Sequence, residues 1–125
     1  MIDGIYAASV YVNDQAAALA WYTGVLGMEV RLDAPFEGGL RWLEVAPSGS
    51  STNLLLIHGY GGWAPERVGI ETGVVLTAAD VEAAYRDLAG RGVDFPMPPQ
   101  RFDWGWNAVL ADPDGNSFVL CQSRE

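Results

Sequence analysis

The feature that most constrains this chain is an internal duplication: residues 10 to 30 can be laid without a gap over residues 75 to 95, at an offset of 65. Val10-Tyr11-Val12-Asn13-Asp14 falls on Val75-Leu76-Thr77-Ala78-Ala79, and Leu26-Gly27-Met28-Glu29-Val30 falls on Arg91-Gly92-Val93-Asp94-Phe95. Identities are few, so the shared pattern of elements carries the comparison. In each copy a β-rich run, Ala8 to Val12 and Val74 to Thr77, leads into Asn13-Asp14 or Ala79-Asp80. These residue types suit a helix N-cap, because their side chains accept the first free backbone N–H groups. Helices are predicted over Ala16 to Leu26 and Val81 to Ala89, with Gly27 and Gly92 placed for a left-handed stop.

Further strands are predicted after each helix: Met28 to Leu32, Leu40 to Ala46 and Asn53 to His58, then Val93 to Phe95, Ala108 to Ala111 and Ser117 to Gln122. Tight turns at Pro47-Ser48-Gly49-Ser50 and Asp112-Pro113-Asp114-Gly115-Asn116 precede the last strand of each half. The expected organisation is one α+β domain over residues 1–125, made of two tandem βαβββ modules at about 1–60 and about 70–125, joined by a Gly-rich linker at 59–69. A chain of 125 residues has the size of one such domain.

Composition narrows the function classes. The net charge is -9, and all seven basic residues are Arg. Without Lys there is no Schiff-base chemistry, and an acidic chain without a basic stripe predicts neither a nucleic-acid nor a membrane-surface partner. The acidity is read first as solubility and second as a preference for cationic ligands. The single cysteine, Cys121, has no internal partner, and the start Met1-Ile2-Asp3-Gly4 shows no signal-peptide pattern. Both point to the cytoplasm.

Three fragments in order, Val10-x-Val12-x-Asp14, Trp21-Tyr22-x-x-Val25-Leu26-Gly27-Met28 and Asp112-Pro113-Asp114-Gly115-Asn116 before an apolar final strand, give the chain a specific likeness. It resembles the glyoxalase/bleomycin-resistance/extradiol dioxygenase (vicinal oxygen chelate) superfamily over nearly its whole length. That resemblance implies a curved mixed sheet around a cleft, often completed by a homodimer partner. It leaves the chemistry open, since such a fold hosts lyases, dioxygenases, epimerases and non-catalytic antibiotic-binding proteins.

Metal-dependent relatives carry four His or Glu ligands on strands of the two modules. By this resemblance the corresponding positions are Ala7, Leu54 or Leu55, Thr72 or Gly73, and Val119. Ala, Leu, Gly and Val offer no donor, and Thr72 only a weak hydroxyl, so neither a metal nor another cofactor is expected. His58 is either a general base at a strand end or, more simply, a hydrogen-bonded structural residue. Cys121 reads as an inert thiol.

The aromatic residues suggest a ligand. In Arg41-Trp42-Leu43-Glu44-Val45, period-two alternation separates Leu43 and Val45 from Trp42 and Glu44, which are then free to face the cleft. Trp104 and Trp106 flank Gly105 ahead of the penultimate strand, and Trp63 lies in the linker. The candidate ligand-binding set is Trp42, Glu44, His58, Trp104, Trp106, Val119 and Cys121, suited to a planar or cationic organic molecule. The same Trp residues could instead fill a core or an interface. Metal-independent binding is the leading expectation. Its alternatives are an enzyme of the same superfamily with a displaced metal site or none, and a purely structural dimeric domain.

Overall fold

A computed structural model describes residues 1–123. It contains two compact units, Met1–Gly69 and a second that begins at Ile70. In the first, strand β1 (Ala7–Tyr11) leads to helix α1 (Gln15–Gly24), then β2 (Glu29–Phe36), β3 (Leu40–Ala46) and β4 (Asn53–Ile57). The second repeats the order with β5 (Glu71–Ala78), α2 (Val81–Gly90), β6 (Asp94–Phe102), β7 (Gly105–Ala111) and β8 (Ser117–Gln122). The sheets run β1-β4-β3-β2 and β5-β8-β7-β6. In each, the first and last strands of the module pair in parallel and the other pairs are antiparallel. This is the expected α+β arrangement of two βαβββ modules.

The helix boundaries follow from local chemistry. Asp14 and Asp80 are both extended residues whose carboxylates accept from the N–H groups of Ala17 and Ala83, each at 3.0 Å. The helices end before Gly27 (φ 75°) and Gly92 (φ 90°), which adopt the left-handed region that a side chain would disfavour. The caps are 66 residues apart and the glycines 65, so the second module has one residue fewer between helix cap and turn.

Period-two alternation then sorts each sheet into two faces. In the first module Val10, Leu43, Val45, Leu54 and Leu56 are buried on the α1 side, with Ala18 and Tyr22 of the helix. In the second, Ala108, Leu110, Phe118 and Leu120 are buried with Val81. At 25 cal/mol per Å² of buried apolar surface, each such Leu or Phe contributes about 2–3 kcal/mol before entropy is counted.

Two segments differ from expectation. Strand β6 extends to Phe102, well past Phe95, through Pro96, Pro98 and Pro99. It tolerates them because it is the outer strand of its sheet, where a missing N–H costs no ladder bond, and its pairing with β7 is broken by two register shifts. The Gly-rich stretch 59–69 belongs to the first unit and is folded onto it. There Tyr60 Oη donates to Arg41 O (2.8 Å), Trp63 Nε1 donates to Val12 O (2.9 Å), and Gly61 O accepts from Tyr11 Oη (2.7 Å).

Candidate functional site

The first module concentrates chemistry on the sheet face turned away from α1. Strand β3 delivers Trp42 and Glu44 there, because Leu43 and Val45, both 0% exposed, take the helix side. The register places Glu44 opposite Leu55 of β4 and Leu32 of β2, and Ser9 of β1 opposite Leu55, so these residues share the face. Glu44 is only 2% exposed. Its Oε2 accepts from Trp42 Nε1 (2.7 Å), and its Oε1 accepts from Tyr6 Oη (2.7 Å) and Asn53 Nδ2 (3.3 Å). Asn53 is positioned in turn by Arg31, whose Nη1 donates to Asn53 Oδ1 (3.2 Å). A buried carboxylate thus holds the indole edge and fixes the plane of Trp42.

Around that indole lies an aromatic cluster. Trp42 and Tyr60 are stacked with centroids 5.9 Å apart, and Phe36 sits 5.6 Å from Trp42 and 5.0 Å from Tyr60. Burial raises the Tyr60 pKa, against an opposing hydrogen bond from Gln15. The Tyr6 pKa is raised first by its hydrogen bond to Glu44, then by desolvation and by the Glu44 charge. Both phenols therefore remain hydrogen-bond donors at neutral pH. On the same sheet, Arg41 grips Asp33 through Nε and Nη2 (2.8 and 2.7 Å), which lowers the Asp33 pKa and raises that of Arg41.

The other expected site residues are placed differently. The His58 Nδ1 lies 3.0 Å from Val12 O, and its ring packs 4.4 Å from Trp63, which donates to the same carbonyl. That is a structural clamp between β1 and the loop after β4. In the second module, Val119 and Cys121 are half-buried on the face turned away from α2, opposite Val75 and Thr77 of β5. Trp106 has the same alternation as buried Ala108 and Leu110, hence the helix side. Trp104, 66% exposed, stacks on Phe102 at 4.8 Å and 4°, and its Nε1 meets the Asn107 carboxamide oxygen at 3.2 Å when that group is turned toward it. Phe36, Tyr60, Tyr6 and Asn53 were not anticipated. Tyr6 and Tyr60 come from segments without strand or helix periodicity, and only the fold brings them to Trp42 and Glu44.

The positions that would hold a metal do not fit one. Leu54 points to the helix side, which leaves Leu55, paired with Ser9, on the face with Ala7. In the second module Gly73 and Val119 correspond, and the Thr72 hydroxyl is engaged, donating to Ser117 O (2.8 Å) and accepting from Val74 N (3.1 Å). Among the described residues no three His, Cys, Asp or Glu side chains are grouped to hold a metal.

Comparisons with known proteins agree with this architecture. YetH, an uncharacterised protein of Bacillus subtilis (strain 168), is 32% identical over 120 residues, covering 96% of this chain and 98% of its own. A solved structure from Sphaerobacter thermophilus DSM 20745, a glyoxalase/bleomycin resistance protein/dioxygenase superfamily member, is 34% identical with TM-score 0.86, covering 98% of both chains. TnmS3, an antibiotic binding protein from Streptomyces sp. CB03234, is 35% identical with TM-score 0.85, again covering 98% of both chains. Residues 4–120 match the family as a whole, so with its duplicated βαβββ modules the chain belongs to the Glyoxalase/Bleomycin resistance protein/Dioxygenase superfamily.

Proposed function

We propose that this protein binds and sequesters a small organic molecule bearing an aromatic ring system, without a metal. The observation that carries the reading is the Phe36, Trp42 and Tyr60 cluster anchored on the buried Glu44 carboxylate. Rings fixed in orientation offer large stacking surfaces at low conformational cost. The family's metal positions supply Ala, Leu, Gly and Val in place of donors. The likeness to an antibiotic binding protein over 98% of both chains favours binding over turnover. The working form in this reading is a cytoplasmic homodimer.

Native mass spectrometry of the purified protein, alone and after addition of Mg, Mn, Ni or Zn salts, tests metal independence and assembly together. A metal-free dimer, with Trp fluorescence quenched by polycyclic aromatic compounds in the wild type but not in Trp42→Ala, is the expected result. Stoichiometric uptake of one metal per site would overturn it in favour of an enzyme.

A further inference from the structure

Two carboxylates of the described residues are buried, and their surroundings differ. Asp112 is enclosed by its own turn, accepting from Asp114 N, Asn116 N and Asn116 Nδ2, each at 2.9 Å. Glu44 instead gathers donors from three separate places: Tyr6 ahead of β1, Trp42 on β3 and Asn53 on β4. All three are neutral, and Glu44 forms no ion pair among the described residues. Arg31 approaches it through one intervening carboxamide. A carboxylate has about four lone-pair positions, and an anion taken out of water without a cation is costly.

The three donors are not equally committed. Trp42 and Asn53 sit within paired strands, whereas Tyr6 is a residue 63% exposed ahead of β1. Its backbone is nevertheless anchored, since Tyr6 O accepts from Asn53 N (2.9 Å) and Ile5 O accepts from Thr52 Oγ1 (3.1 Å). Removing the phenol from Glu44 therefore needs a rotamer change and no unfolding, a motion that exposed side chains make in picoseconds to nanoseconds.

We propose that Glu44 Oε1 is the polar recognition point of the site and that the Tyr6 hydroxyl is a stand-in partner, displaced by a protonated nitrogen on a planar aromatic ligand. This rests on the binding reading above and narrows its ligand class. Exchange of a neutral O–H donor for N⁺–H gives the buried anion the cation it lacks and a charge-assisted bond about twice as strong. The ring system carrying that nitrogen then lies against the aromatic cluster, whose Phe36 is 39% exposed. Aromatic faces also attract cations.

Isothermal titration with proflavine, a planar diaminoacridinium cation, and acridone, a neutral tricycle of similar size, tests the idea on the full chain. Wild type is expected to bind proflavine about tenfold more tightly than acridone, and Glu44→Gln to weaken proflavine about tenfold more than it weakens acridone. Tyr6→Phe, which removes the competing donor at an exposed position, is expected to tighten proflavine about threefold relative to acridone. The Tyr6→Phe result stands even if Glu44→Gln fails to fold. Weaker proflavine binding in Tyr6→Phe, or equal effects of Glu44→Gln on the two probes, overturns the proposal. If both probes bind alike and both are lost in Trp42→Ala, the binding reading survives and its cationic refinement falls. If neither binds folded wild type, both fall.

Discussion

Neighbouring residues 42 and 43 provide a sharp test of how β3 divides structure from recognition. Leu43 is 0% exposed on the α1 side, so Leu43→Ala removes a buried side chain and leaves a cavity, at a cost of about 3 kcal/mol within the usual 2–5. With an unfolding entropy near 2.1 cal/mol/K per residue, 125 residues give about 0.26 kcal/mol/K, and the melting temperature drops by about 11 °C. Trp42 is half-buried on the other face, where its loss removes ring contacts with Phe36 and Tyr60 and one hydrogen bond to a carboxylate that water can then reach. About 1.5 kcal/mol, or a fall of about 6 °C, is expected for Trp42→Ala. Differential scanning calorimetry measures both, and arene titration reads binding. Leu43→Ala should keep its ligand affinity below its lowered melting point, while Trp42→Ala should lose it. Equal destabilisation by the two variants would make Trp42 a core residue and refute the division of faces.

Other consequences follow from the caps and the phenol. Asp14→Ala and Asp80→Ala each remove one side-chain cap and should each cost about 1 kcal/mol in denaturant titrations, with Asn replacements restoring most of it. The raised Tyr6 pKa means that its folded-state phenol holds its proton above the ordinary value of 10.0. Its contribution to stability is thus complete below that value and is lost as pH rises through the folded pKa. Ultraviolet difference titration should find Tyr6 among the late-ionising tyrosines in wild type and shifted down in Glu44→Gln, and no shift would remove Glu44 as the cause.

Where a structural signal is local, the sequence displays it: Asp14 and Asp80 at the caps, Gly27 and Gly92 at the stops, and the alternation that puts Trp42 beside Glu44 and opposite to Leu43. The same alternation, applied to Trp106, Ala108 and Leu110, puts Trp106 on the helix side. What resists reading depends on position in the whole sheet. Pro96, Pro98 and Pro99 argue against a strand until β6 is known to be the outer one. Tyr60, in a Gly-rich stretch that reads as a linker, reaches Arg41 O and Trp42 only because the stretch folds back. Tyr6 lies 38 residues from Glu44, and nothing local announces their contact.

The two modules share one fold and differ in the residues that their sheets turn away from the helices. Their helix-facing residues are interchangeable in kind: Leu43, Val45, Leu54 and Leu56 in the first, Ala108, Leu110, Phe118 and Leu120 in the second. Folding constrains that face of each sheet through burial, and a polar group there would be penalised. The opposite faces differ in kind, and that of the first module buries Glu44 and Asn53 as well: Trp42, Glu44 and Leu55 in one, Val75, Val109, Val119 and Cys121 in the other. Because a strand turns successive side chains to opposite faces, Glu44 can be gained or lost without disturbing Leu43 or Val45. In the proposed binding reading, half-buried position 42 can vary at modest stability cost, a change at buried Glu44 must leave Tyr6, Trp42 and Asn53 with an acceptor, and positions 43 and 45 admit little beyond aliphatic side chains of similar volume.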